Sequence, residues 1–155
     1  MTENKQNFPI FLVEDNPVDV DLTLRAFKKQ NLINPIIVSR DGEDAMNWIK
    51  RWEDGDKIPV VILLDLKLPK FSGLEVLKAI KSHSVFQTIP VVVLTSSAED
   101  ADVKAAYKLG ANSYIVKPVE FDKFVVIAGQ IELYWNVLNK PFIPCLLYTS
   151  DAADE

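Results

Sequence analysis

Apolar runs and amphipathic stretches alternate five times along the chain. The runs that predict strands are 9–13, 34–39, 58–65, 89–96 and 112–118. After each run, apolar residues recur at helical spacing, as Ala45, Ile49 and Trp52 do in the second helix. The runs VVILL and VVVL show no polar alternation, which predicts strands that are covered on both faces. The pattern therefore predicts an α/β domain of (βα)₅ type, with a doubly wound, parallel five-stranded sheet between helices.

Polar residues predict where several helices begin. Asn16 followed by Pro17 is typical of an N-cap and the first residue of a helix. Two serine–acid pairs have the spacing of a capping box, Ser72 with Glu75 and Ser97 with Asp100. These pairs predict the starts of the third and fourth helices, and Gly110 predicts the end of the fourth.

The last helix carries apolar residues on two faces. The face expected to cover the sheet holds Phe121, Phe124, Val125, Ala128, Ile131 and Trp135. The second strip holds Val126, Ile127, Leu133, Tyr134, Val137 and Leu138. A second apolar strip favours contact with a partner, although packing beneath the segment NKPFIP would also cover it.

Composition and charge narrow the function classes. The 155 residues are 48% hydrophobic and 25% charged, which is typical of a globular domain. No apolar run reaches the roughly 18 residues of a membrane span, and MTENKQNF lacks the apolar stretch of a secretion signal. The net charge of −5 does not favour a nucleic-acid surface. We expect a cytoplasmic protein that binds neither nucleic acid nor membrane.

The last eleven residues, CLLYTSDAADE, show no helical or strand period and look foreign to the rest of the chain. We assign 8–140 to the domain and expect 145–155 to be a non-native or disordered tail. The only cysteine, Cys145, lies in this tail. Because a disulfide needs two cysteines, none can form within the chain.

The predicted strands end in chemically useful side chains. These are Glu14-Asp15, Asp65, Thr95-Ser96 and Lys117-Pro118. Ligands of open parallel sheets bind at the carboxyl ends of the strands, so we expect these groups to share one site. Crowded carboxylates repel one another, and an all-oxygen set favours Mg²⁺. A carboxylate beside Mg²⁺, a lysine and a hydroxyl suits an aspartate that takes a phosphoryl group, and Asp65 is the candidate.

Four segments in order carry a family resemblance. LVEDN, LLDLKLPKFSG, VVVLTSS and GANSYIVKPV resemble the receiver domain of two-component response regulators, over residues 8 to about 138. The segments VEDNPVDVDLTLRAF, LPKFSG and IELYW are most similar to the small single-domain regulators that serve bacterial phytochromes. The resemblance implies a flavodoxin-like fold.

The resemblance also implies a role for each strand-end residue. Asp65 would be the phospho-acceptor and Lys117 the phosphate-binding lysine, followed by a cis bond to Pro118. The implied Mg²⁺ ligands are Glu14, Asp15, Asp65 and the backbone carbonyl of Lys67. Backbone groups of Lys67 and Ser96 would bind phosphate, whereas Thr95 and Tyr114 would switch conformation.

Partners follow from the same resemblance. A sensor histidine kinase, expected to be phytochrome-like, would donate the phosphoryl group. The chain would not be an enzyme, beyond assisting its own phosphorylation and dephosphorylation. A homodimer is expected through the fourth helix, fifth strand and fifth helix.

Two departures and two alternatives stay open. The family often has Asn where this chain has Lys67, which could alter the lifetime of the phosphorylated form, and Ser72-Gly73 stands where Asp-Gly is common. A Mg²⁺-dependent phosphatase of haloacid-dehalogenase type is disfavoured because its second acid would fall at Lys67. The chain could also be a receiver from a longer regulator or hybrid kinase.

His83, the lone histidine, is expected to be exposed and without a role.

Overall fold

The computed structural model describes residues 8–136, which form one parallel sheet flanked by helices. The strands lie in the order β2-β1-β3-β4-β5. The elements, in chain order, are β1 Ile10–Val13, α1 Pro17–Lys29, β2 Ile36–Ser39, α2 Gly42–Glu53, β3 Val61–Leu64, α3 Gly73–Lys81, β4 Val91–Thr95, α4 Asp100–Leu109, β5 Ser113–Val116 and α5 Phe121–Asn136. This architecture confirms the predicted (βα)₅ fold.

The sheet separates two apolar cores. Helices α1 and α5 pack on one face, around residues such as Phe27 and Phe124. Helices α2, α3 and α4 cover the other face, where Trp52 lies edge-on between Phe11 and Phe86. Every residue of β1, β3 and β4 is buried, as the uninterrupted apolar runs predict. Strands covered on both sides are held firmly, so their carboxyl ends form a rigid base for a site.

Two of the three predicted helix starts are confirmed. The Asn16 side chain accepts hydrogen bonds from the amides of Val18 and Asp19 at the start of α1. Ser72 and Glu75 form the reciprocal bonds of a capping box at the start of α3. Gly110, at a φ of +110°, ends α4 as predicted.

The capping box predicted at Ser97 is wrong. Helix α4 begins later, after Glu99, and none of the described side chains caps it. Ser97 is buried in the preceding loop, and its hydroxyl donates to the carboxylate of Asp102. The loop backbone is held by the Tyr114 hydroxyl, which donates to the Ser97 carbonyl, so the tertiary contact overrides the local capping signal.

The two apolar strips of α5 separate as predicted, with one exception. Phe124, Ala128 and Ile131 are buried. Val126 is 58% exposed and Leu133 is 38% exposed, but Ile127 packs against the core. The side chains of Tyr134 and Trp135, together with Val137, Leu138 and the predicted tail 145–155, lie outside the described residues.

His83 is not the exposed, idle residue that the sequence predicts. Its ring stacks on Phe86 at 3.9 Å, and its Nδ1 accepts hydrogen bonds from the amides of Val85 and Phe86. Its Nε2 lies 3.2 Å from a Glu53 carboxylate oxygen. His83 therefore ties the end of α2 to the loop after α3. Within residues 8–136, no helix has the length and apolar character needed to cross a membrane.

Candidate functional site

The carboxyl ends of β1, β3 and β5 bring the predicted site residues together. Each of these residues follows its strand directly, and its amide extends the sheet pairing by one step. The Glu14 amide donates to Ser39, the Asp65 amide to Val13 and the Lys117 amide to Thr95, each at 2.8–3.0 Å. Continued pairing fixes their backbones, so their side chains leave the same sheet edge.

Three carboxylates converge at this edge. Glu14, Asp15 and Asp65 can each offer one oxygen, with all three oxygens within 4.8 Å of one another. Glu14 and Asp65 are buried, whereas Asp15 is exposed. Three hard oxygen donors with one side open to water fit a divalent cation such as Mg²⁺, which retains several waters. The donor set therefore fits the metal that the sequence analysis predicts.

A cavity of about 370 Å³ contains this cluster. Its lining residues are Glu14, Asp15, Asn16, Asp19, Asp65, Lys67, Ser96, Lys117 and Pro118. Six of the seven strand-end residues predicted from the sequence line this cavity, and Thr95 is the exception. Lys67 joins them from the loop after β3. The space is large enough for a phosphoryl group with water around it.

Lys117 lies at the centre of the charges. Its Nζ is 2.7 Å from Asp19 Oδ2, 3.0 Å from Glu14 Oε1 and 3.1 Å from Asp65 Oδ2. Burial disfavours the ammonium, but the hydrogen bonds to Asp19 and Glu14 outweigh burial and raise the pKa of Lys117 above its ordinary value. The lysine is therefore a fixed positive charge beside Asp65.

The surroundings of Glu14 disfavour its ionised form, whereas those of Lys117 favour the ammonium. Burial raises the pKa of Glu14 to about 7, against the hydrogen bond from Lys117, and the nearby carboxylate of Asp65 adds to the rise. Its Oε2 also accepts from the Asn16 amide at 3.2 Å. Such a carboxylate is costly to keep ionised without a further positive charge, which supports a cation in this cluster.

The two backbone positions proposed for phosphate lie at the cavity wall. The Lys67 amide donates to Asp65 Oδ1 at 3.0 Å, which holds the carboxylate against the loop after β3. The side chain of Lys67 is exposed, as is Ser96. The Lys117–Pro118 peptide bond is cis, which confirms that prediction.

Thr95 and Tyr114 do not line the cavity. Thr95 is fully buried at the end of β4, with its Oγ1 3.5 Å from the Ser97 amide. The Tyr114 hydroxyl donates to the Ser97 carbonyl at 2.8 Å, on the α4 side of the sheet. Both predicted switch residues therefore contact the same loop, the one between β4 and α4.

Asp19 was missed by the sequence analysis. It makes the shortest contact with Lys117, from the first turn of α1. A signal was present, because an acid in the first turn of a helix that follows a strand tip lies near the same sheet edge. Sequence spacing does not show which of several acids a distant lysine approaches, so the pairing needed the tertiary structure.

Comparisons with known proteins agree with this geometry. A family model described as the response regulator receiver domain matches residues 10–128. The probable methanogenesis regulatory protein FilR2 of Methanothrix harundinacea is 40% identical over 139 residues, covering 89% of this chain and 90% of that protein. Response regulator Rcp1 of Synechocystis is 40% identical over 130 residues, covering 81% and 87%.

Two solved structures resemble the fold closely. The Mn²⁺-bound form of Rcp1 aligns with a TM-score of 0.73 at 37% identity, covering 83% of this chain and 94% of that chain. The bacteriophytochrome response regulator RtBRR aligns with a TM-score of 0.71 at 47% identity, covering 87% of this chain and 84% of that chain.

Proposed function

The chain belongs to the response regulator receiver family, and we propose that Asp65 accepts a phosphoryl group from a histidine kinase. The observation that carries the proposal is the position of Asp65. Its carboxylate is shared between the oxygen cluster of Glu14 and Asp15 and the ammonium of Lys117, 3.1 Å away. An oxygen nucleophile between a cation site and a fixed positive charge suits phosphoryl transfer.

In this proposal Glu14, Asp15, Asp65 and the Lys67 carbonyl hold Mg²⁺. The Mn²⁺-bound form of Rcp1 supports a divalent cation in a related receiver. When bound, the cation supplies positive charge that neutralises the oxygens of the transferring group. The raised pKa of Glu14 supports the same assignment, because a cation would restore the ionised form.

The residues of the chain supply the remaining steps. An Asp65 oxygen attacks phosphorus in line, and the bond from phosphorus to the donor breaks. The amide of Lys67 restrains the other Asp65 oxygen. Lys117 already donates toward Asp65, so a phosphoryl oxygen on that carboxylate comes within its reach. Because these groups are in place beforehand, little reorganisation accompanies the transfer.

The loop between β4 and α4 would change conformation when Asp65 is phosphorylated. Thr95 lies under this loop, and Tyr114 holds its backbone through the Ser97 carbonyl. If Thr95 turns toward a phosphoryl oxygen, the loop moves and the Tyr114 bond must adjust. The proposed output is thus a change on the surface of α4, β5 and α5, which is a switch driven by local charge.

The same surface is the proposed dimer interface. Val116 on β5 is 39% exposed, and Val126 and Leu133 extend the apolar surface along α5. Helix α4 buries only Ala106. Partly exposed apolar residues on three neighbouring elements favour a protein partner, and we propose a second copy of this chain.

The proposed donor is a sensor kinase of the phytochrome type. The support is the likeness to RtBRR, which is a bacteriophytochrome response regulator, at 47% identity. FilR2 is described as a regulator of methanogenesis and is 40% identical. Because only one of these two names refers to a phytochrome, the test is to profile phosphotransfer to this chain from candidate kinases.

The test of the proposed function is uptake of phosphate by purified protein. Wild type incubated with acetyl phosphate and Mg²⁺ should form one acid-stable, base-labile phosphoprotein, and EDTA should prevent it. Asp65→Asn should take up none, because an amide is a poor nucleophile. Asp21→Asn, an exposed acid that pairs with Arg25, is the matched control and should label normally. Labelling of Asp65→Asn at the wild-type rate would overturn the assignment.

A further inference from the structure

Among residues 8–136, Asp19 is the one carboxylate partner of Lys117 that lies outside the oxygen cluster of Glu14, Asp15 and Asp65. Of the three carboxylates that contact the ammonium, Glu14 and Asp65 also belong to the oxygen cluster with Asp15, and Asp19 does not. Asp19 also makes the shortest of the three contacts, at 2.7 Å. The side chain of Asp19 is 26% exposed, so most of its surface is shielded from water.

The start of α1 fixes the position of Asp19. Its amide donates to the Asn16 side chain at 3.3 Å, and its carbonyl accepts from the Thr23 hydroxyl at 2.8 Å. The Asn16 amide in turn donates to Glu14. The cap therefore links the backbone of Asp19 to the tip of β1 through two hydrogen bonds, which fixes the point from which its carboxylate reaches Lys117.

An ammonium has three N–H donors, and Lys117 directs them at three carboxylates. If a cation occupies the cluster, the lone pairs of Glu14 and Asp65 are shared with it and hold the lysine less well. Asp19 has no part in that cluster and keeps its bond. We propose that Asp19 is a positioning residue that holds the Lys117 ammonium toward Asp65 during phosphoryl transfer, an inference that rests on the proposed function.

Asp19 would assist the transfer of the phosphoryl group from acetyl phosphate to Asp65. An Asp65 oxygen forms a bond to phosphorus while the bond from phosphorus to the acetyl oxygen breaks. Acetate leaves as its anion with that electron pair, and no proton is transferred. Lys117 donates to a phosphoryl oxygen, and Asp19 occupies another of its N–H groups, which limits rotation of the ammonium away from the site.

The test compares Asp19→Ala, Asp19→Asn and wild type in phosphorylation by acetyl phosphate, with saturating Mg²⁺ and varied donor. Asp122→Ala is the matched control, because Asp122 is an exposed acid in the first turn of α5. Thermal unfolding of each variant is measured in parallel. Asp65→Asn is included so that failure of the proposed function is recognised separately.

The maximal rate of phosphorylation of Asp19→Ala should fall about tenfold, because a misplaced Lys117 ammonium would stabilise the transferring phosphoryl group less well. The half-saturating donor concentration should not rise, because loss of a negative charge favours an anionic donor. Asp19→Asn retains an oxygen acceptor and should recover part of the rate, and Asp122→Ala should match wild type.

Several results would overturn the inference. A maximal rate for Asp19→Ala at or above wild type would mean that Asp19 restrains the lysine instead. Equal losses in Asp19→Ala and Asp122→Ala, or no recovery in Asp19→Asn, would indicate a general effect on helix or charge. If Asp65→Asn labels like wild type, the proposed function fails, whereas an inert Asp65→Asn with unimpaired Asp19→Ala removes only the role of Asp19.

Discussion

The pKa values of two partly buried lysines in this chain are shifted in opposite directions. Three carboxylates surround Lys117 and raise its pKa despite burial. In the part of the chain that the structure describes, Lys81 donates only to carbonyls, with its Nζ 2.7 Å from the Ile89 oxygen and 3.0 Å from the Gln87 oxygen. Burial lowers the pKa of Lys81 to about 8. In this fold, carboxylates more than offset the effect of burial on the pKa of an ammonium, whereas carbonyl dipoles do not.

The lowered pKa of Lys81 predicts a rise of stability with pH. Between about pH 8 and the ordinary value of 10.5, the unfolded chain binds a proton that the folded chain does not. The free energy of unfolding therefore increases with pH across this window. The neutral amine can still donate to both carbonyls, so the contacts persist. Because Lys81 keeps contact with water, the gain should stay below about 1 kcal/mol.

Chemical denaturation of wild type and Lys81→Met at pH 7.5 and pH 10 measures this effect. The difference in unfolding free energy should shift in favour of wild type at the higher pH. Lys78→Met, on the exposed side of the same helix, is the matched control. A wild-type advantage that shrinks on going to pH 10 would contradict the predicted sign.

At the scale of elements, α3 depends on its cap. It has nine residues, which is too short to be stable alone, and its N-terminus is satisfied by the reciprocal bonds of Ser72 and Glu75. Ser72→Ala removes the acceptor for the Glu75 amide and should lower the free energy of unfolding by about 1 kcal/mol. Urea denaturation measures this value.

Ser82→Ala is the control for this change, because Ser82 ends the same helix and is exposed. It should alter the free energy of unfolding by less than about 0.5 kcal/mol. Equal losses from both serines would mean that helix propensity, rather than the capping bond, determines the effect.

Sequence signals predicted these elements where the deciding contacts are local. The bonds of Asn16 and Ser72 reach residues two or three positions away, so a short motif contains all the partners. Ser97 has the same local pattern, but Tyr114, 17 residues distant, fixes its backbone. His83 likewise acquires its partner Glu53 only through the packing of α2 near the end of α3. Motifs therefore predicted caps well and tertiary contacts poorly.

At the scale of the molecule, the site follows from one property of parallel sheets. Strand tips gather at one edge, so acids after β1 and β3 and a lysine after β5 could be predicted to meet. The sequence could not predict that the Lys117 ammonium contacts Glu14, Asp19 and Asp65 together. These contacts depend on where the first turn of α1 lies relative to the strand tips. The apolar strip of α5 was predictable in pattern, but Ile127 shows that packing decides which members stay exposed.

The exposed members of that strip predict a dimer through α4, β5 and α5. Val126 is 58% exposed on α5, and an apolar side chain of this kind gains about 25 cal/mol for each Å² removed from water. A charge placed there would have to be desolvated on association. Val126→Glu should therefore shift the protein from dimer to monomer, which sedimentation velocity measures with and without acetyl phosphate and Mg²⁺.

Ile33→Glu is the control for this substitution, because Ile33 is 67% exposed in the loop before β2, away from the proposed interface. It should leave the sedimentation coefficient of the dimer unchanged. If both glutamate variants remain dimeric, the copies associate through another surface. If wild type is monomeric in the presence and absence of phosphoryl donor, the exposed strip serves a different protein, and the phosphorylated chain would act on that partner directly.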